Sequence, residues 1–142
     1  MTTDRYQKGL DKLNEFTLSS DDGVSTHHKI SEELGEIAPD IGKYIIEFAY
    51  GDIYSRPGLD NKQRALVTLS SLITQGREPQ IELHVNTALT SGLTPTEIVE
   101  SILHLIPYTG FPSVLNALKV TKKVFEQREV EMPGAMEKVM AG

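Results

Sequence analysis

Apolar positions recur every three or four residues along nearly the whole chain, and no stretch alternates apolar and polar as a half-buried strand would. Leu10, Leu13 and Phe16 lie on one side of a charged segment, which predicts a first helix over residues 5–16. Residues 18–23 read as a polar loop, and Ser25 can cap a second helix over about 26–36. Pro39 suits the first turn of a third, running to about Tyr50 with Ile41, Tyr44, Ile45 and Phe48 at helical spacing. Gly51, Pro57 and Gly58 then predict a break over residues 51–60.

Asp60, with Gln63 three residues on, opens a long helix that turns Leu66, Leu69, Ser70 and Ile73 inward and stops at Gly76. Pro79 opens the next, whose stripe of Ile81, Val85, Ala88 and Leu89 runs to a stop at Gly92. His84 falls inside that stripe, where an aliphatic residue would be ordinary. Thr94-Pro95-Thr96-Glu97 is a full start signal, with a capping Thr, Pro at the first helical position and Glu at the third. Ile98, Ile102, Leu105 and Ile106 follow on the core side, ending near Tyr108-Thr109-Gly110. A last helix covers about 112–128, and residues 129–142 read as a loosely held tail. The pattern predicts an all-α fold of six to seven helices with short connections, centred on an antiparallel pair around the 91–97 turn.

At 142 residues the chain reads as a single domain, and 39% hydrophobic with 24% charged residues suits a soluble globular protein. No apolar run approaches the ~18–20 residues that span a bilayer. The N-terminal stretch lacks the apolar core of a secretion signal, so a cytoplasmic location is expected. Fourteen basic against twenty acidic side chains, a net charge of −6, disfavour nucleic acid as a partner. Lys119, Lys122 and Lys123 read as the solvated face of the last helix. There is no cysteine, which excludes disulfides, thiolate metal sites and thiol redox chemistry.

Few residues remain that could carry chemistry. His84 is either a partly buried histidine bonded to a neighbouring backbone group or an acid–base group in a pocket between helices. His104 shares a polar edge with Glu97, Glu100 and Tyr108, which reads as a surface or subunit contact. His27 and His28 are adjacent, point about 100° apart on a helix and make poor joint ligands. With no His-Glu-x-x-His and no paired Glu-x-x-His elements, no metal site is expected. Nor is there a phosphate-cradling glycine loop or a Gly-x-Ser-x-Gly elbow. Arg56, Arg64 and Arg77 sit near helix boundaries, where Arg can hold a carboxylate bidentately or form an ordinary salt bridge. Tyr50 and Tyr54 are candidate pocket walls or core aromatics.

Tyr54-Ser55-Arg56-Pro57-Gly58-Leu59, His84 followed by Gly92-Leu93-Thr94, and Tyr108-Thr109-Gly110-Phe111-Pro112 together resemble the carboxymuconolactone decarboxylase family, over about residues 48–118. One branch of that family, the alkylhydroperoxidase-D-like proteins, uses a Cys-x-x-Cys pair before a helical His. Arg77 and Gln80 stand at those positions here, so thiol peroxidase activity is excluded. The other branch decarboxylates 4-carboxymuconolactone in the catabolism of aromatic compounds.

The resemblance therefore implies a cofactor-independent lyase acting on that lactone or a related small cyclic carboxylate. It implies His84 as proton donor or oxyanion stabiliser, Arg56 as anchor for an anionic group, and Tyr54 and Tyr108 as pocket walls. It also implies a ring-shaped homo-oligomer, a hexamer built as a trimer of dimers. The chain departs from the pattern at Glu82 and Asn86, where basic residues are frequent, and at Tyr54, where tryptophan is frequent. Those departures leave a second expectation, a family member with a non-catalytic ligand-binding or stress-related role.

Overall fold

The computed structural model describes residues 3–17 and 32–134. The expected loop at 18–23, the start of the expected second helix with His27 and His28, and residues 135–142 lie outside them. Seven α-helices and one π-helix lie wholly within the described residues, residues 32–34 are helical as well, and none of the described residues forms a strand. In chain order these are α1 (Asp4–Asn14), α2 (Ile41–Tyr44), the π-helix (Ile45–Tyr54), α3 (Asn61–Gln75), α4 (Glu78–Thr90), α5 (Pro95–His104), α6 (Ile106–Thr109) and α7 (Phe111–Gln127). The chain divides into two compact units, Met1–Asn61 and Lys62–Gly142.

In the first unit α1 starts where the Thr3 hydroxyl accepts from the Tyr6 amide at 3.0 Å. It packs along the π-helix, and Leu13, Phe16, Ile46 and Tyr50 form the centre of that contact. The break expected over residues 51–60 begins only at Ser55, because winding continues through Gly51 to Tyr54. Gly51 is a close-packing residue: a β-carbon there would lie 2.9 Å from the Arg5 carbonyl oxygen, and one at Gly9 would overlap the Ile46 carbonyl. The wider π turn also shifts the helix phase. It buries Ile46, Glu47, Tyr50 and Gly51, while Tyr44 and Phe48, expected on one apolar face, stay 62% and 58% exposed.

The second unit is built on one core. Ala65, Leu69 and Ile73 from α3 meet Ile81, Val85 and Ala88 from α4, Ile98 and Ile102 from α5, and Val114, Ala117, Val124 and Phe125 from α7. The main partner of α4 is α7, and its contact with α5 across the Gly92 turn is slighter. The helix expected to run from Pro95 to Tyr108 divides at Leu105 into α5 and α6. Pro107 explains the division, because it offers no N–H to the preceding turn. Beyond α7, Val130 and Met132 pack on the same core, and the Val130 amide bonds back to the Phe125 carbonyl at 3.1 Å.

The start signal at Thr94 forms a reciprocal cap. The Glu97 amide donates to Thr94 Oγ1 at 3.0 Å, and the Thr94 amide donates to Glu97 Oε1 at 2.9 Å. That backbone N–H bond, with the Thr94 hydroxyl, holds the Glu97 carboxyl below its ordinary value. Thr94→Ala is expected to cost about 1 kcal/mol in urea unfolding. A carboxyl with a lowered folded-state pKa stabilises above its ordinary value of 4.5 and loses that contribution as pH falls through the folded value. Glu97→Gln should therefore lower stability at neutral pH and flatten the acid side of the stability curve. An unchanged acid limb would dismiss this cap as a source of pH dependence.

Candidate functional site

His84 sits on α4 one turn after the buried Ile81 and beside the buried Val85, so core packing on both sides fixes the helix that carries it. Its ring is half-buried. The buried Thr87, three residues on, lies on the same face. Thr87 Oγ1 stands 3.3 Å from His84 Nδ1 and donates to the His84 carbonyl at 3.1 Å. The hydroxyl has one proton and two lone pairs. Spending the proton on the carbonyl leaves a lone pair to accept Nδ1–H, and Nε2 becomes the nitrogen that can exchange a proton. A protonated ring fits the same chain of bonds, because Nδ1–H still donates to Oγ1.

Thr87 was missed in the sequence, where it looks like an ordinary interior helix residue. The signal that could have found it is its spacing, three residues after a histidine on one helical face.

Glu82 and Asn86 flank His84 along the chain but are engaged elsewhere. Glu82 Oε1 pairs with Lys123 Nζ of α7 at 3.2 Å, and the Asn86 side-chain amide donates to the Glu82 carbonyl at 3.0 Å. Arg128 Nη1 donates to the Asn86 carbonyl at 2.8 Å, tying the end of α7 to the middle of α4. The acidic charge next to His84 in sequence is thus partly offset by a lysine on the neighbouring helix.

Tyr108 on α6 is 76% exposed and sets its ring against His104, with centroids 5.7 Å apart. No hydrogen bond or ion pair joins Glu100 to His104. Both line an open groove of about 410 Å³ with Leu66, Ser70, Ser101 and Leu105. His84 is not among the residues of that groove.

Tyr54 and Arg56 belong to the first unit, and His84 and Tyr108 to the second. Tyr54 closes the π-helix and stacks on Tyr50 at 4.6 Å, with Phe16 edge-on to it at 5.3 Å. Burial pushes the Tyr50 hydroxyl far above its usual range, so it stays protonated. Ser55 Oγ donates to the Tyr50 carbonyl at 2.6 Å and closes the last turn just before the exposed Arg56.

A second residue the sequence reading passed over is Glu47, a buried carboxylate whose Oε2 accepts from Arg5 Nη1 at 3.3 Å. Arg5 Nε also donates to Asp52 at 2.9 Å, and this bond holds the Asp52 carboxyl below its ordinary value. Among the described residues no group of three or more His, Asp or Glu is arranged to hold a metal ion. None of the described helices is long and apolar enough to cross a membrane.

Residues 39–123, more than half of the chain and including Tyr54, Arg56, His84 and Tyr108, match the model of the carboxymuconolactone decarboxylase family. The chain is 33% identical over 122 residues to a 4-carboxymuconolactone decarboxylase of Acinetobacter baylyi, covering 86% of this chain and 87% of that protein. It is 44% identical over 79 residues to a nitrosuccinic acid decarboxylase of Metarhizium robertsii, covering 56% of this chain and 55% of that protein. An uncharacterised 15.0 kDa protein of Paracoccus denitrificans is 33% identical over 133 residues, 91% of this chain and 99% of its own length. With the helical fold and the absence of cysteine, these likenesses identify the chain as a member of the carboxymuconolactone decarboxylase family without the thiols of its peroxidase branch.

Proposed function

We propose that the chain is a cofactor-independent carboxy-lyase acting on a small organic acid whose leaving carboxylate sits on a carbon next to an electron acceptor. The observation that carries this reading is the half-buried His84 imidazole, oriented through Nδ1 by a buried threonine hydroxyl. The two relatives named as decarboxylases support the class. In 4-carboxymuconolactone the electrons released with CO2 can pass through a double bond into the lactone carbonyl. In nitrosuccinic acid they can pass into the nitro group. Each reaction leaves a stabilised anion and consumes one proton.

In this reading the C–CO2 bond breaks, its electron pair moves into the acceptor, and His84 Nε2 delivers a proton to carbon. Solvent then restores the proton to the ring. The family resemblance further proposes Arg56 as an anchor for an anionic group and Tyr54 and Tyr108 as wall residues, each within its own unit. The pairing of Glu82 with Lys123 suits an anionic substrate, because less uncompensated negative charge then opposes it.

The proposal extends to self-association. Val67, Tyr108, Phe111 and Leu115 of the second unit are more than half exposed although large and apolar, which suits burial against further copies in a ring. Light scattering should then give a multiple of the 15.7 kDa chain, and a monomer mass would remove this part.

The test of function is CO2 release from 4-carboxymuconolactone and from nitrosuccinic acid, run in D2O. Turnover of either is the expected result, with one deuterium on the carbon that lost CO2 for nitrosuccinic acid and on the carbon next to the lactone carbonyl for 4-carboxymuconolactone. No turnover of both would remove the proposed substrate class.

A further inference from the structure

A smaller pocket, of about 190 Å³, lies in the second unit between α5, α7 and the segment that follows α7. Val99, Leu118, Phe125 and Met132 give it apolar walls, and Thr121 and Lys122 are the polar and charged residues that border it. None of its lining residues belongs to α4, which carries His84.

Thr121 is the unusual member. Ser70, Thr74 and Ser101 each donate a hydroxyl proton to the carbonyl four residues back on their own helix. Thr121 does not: its Oγ1 is buried and has no hydrogen-bond partner among the described residues, although the side chain is only 1% exposed. Buried hydroxyls are nearly always satisfied, by protein, water or ligand. Lys122, the next residue, holds Glu126 only at 3.8 Å, and its side chain is 71% exposed, so its charge is largely uncommitted.

We propose that this pocket is a second binding site, for a six-membered ring bearing one carboxylate, with benzoate as the simplest case. The volume fits, since an apolar protein cavity of about 150 Å³ takes up benzene. The aliphatic, aromatic and thioether walls favour a ring over a water cluster, which would need several polar partners. Thr121 Oγ1, closed off while the pocket is empty, turns into it by a change of side-chain rotamer and donates to the carboxylate, which lies towards Lys122. This site is independent of the decarboxylation chemistry assigned to His84.

The test is a benzoate titration followed by methyl-resolved NMR on the full chain. Shifts at Val99, Leu118 and Met132 are expected. Thr121→Val keeps the shape and removes the hydroxyl, and should weaken binding about tenfold while leaving the ligand-free melting temperature unchanged or higher. Lys122→Met should also weaken binding, and His84→Ala should leave it unchanged. No shifts at these methyls up to about 10 mM, equal affinity in Thr121→Val, or loss of the shifts in His84→Ala would each overturn the proposal.

Discussion

Replacing His84 by Ala is expected to lower the decarboxylation rate by about 10²–10⁴-fold, the range that a positioned general acid supplies. Folding should be little affected, because His84 is half-buried and the core of α4 is formed by Ile81, Val85 and Ala88. The ring's partner gives the finer readout. Thr87→Val removes the bond to Nδ1 while keeping the buried volume, and should reduce kcat about tenfold with KM nearly unchanged. Thr87→Ser, which keeps the hydroxyl, should restore most of that loss. A merely structural Thr87 would instead lower stability in both variants without separating kcat from KM. Wild-type rates in His84→Ala would end the assignment of the imidazole as proton donor.

The largest effect on stability is expected at Gly9. In an exposed helix a Gly→Ala change gains about 1 kcal/mol. Here the added methyl would overlap the Ile46 carbonyl, so α1 and the π-helix would have to separate. Overpacking of that kind costs about 1–3 kcal/mol and can cost more. Gly51→Ala, with its clash against the Arg5 carbonyl, should act in the same direction. Gly58 meets nothing within 4 Å of an added β-carbon, so Gly58→Ala is the neutral control. Tyrosine emission during urea unfolding can follow this, because four of the five tyrosines (Tyr6, Tyr44, Tyr50 and Tyr54) lie in the first unit. A Gly9→Ala protein as stable as the parent would mean that the close approach of the two helices is not needed.

The same glycines explain what the sequence could and could not reveal. The Thr94–Glu97 cap was legible because both halves of its bonding lie within four residues. Most of the apolar stripe on α4 was legible because helical period decides burial there. Gly51 was misread as punctuation because its reason for being glycine is Arg5, some forty residues away. The exposure of Tyr44 and Phe48 was hidden for a related reason, since a π turn changes the phase that an α-helical count assumes. At the site, His84 stood out because an imidazole interrupts an aliphatic pattern. Thr87 did not, because a threonine in a helix is unremarkable until a ring nitrogen lies beside its hydroxyl.

The π-winding of Ile45–Tyr54 also has an evolutionary consequence. A turn closed by i→i+5 bonds takes up one more residue than an α turn, so the segment holds slack in chain length. Losing a residue there can be absorbed by tightening towards α-winding, leaving Ser55 and Arg56 near their present bearing. Losing one residue from α4 has no such outlet and would turn His84 by about 100° away from its face. Insertions and deletions among natural variants of this chain should therefore gather ahead of Arg56 and avoid α4, provided that Gly9 and Gly51 are kept.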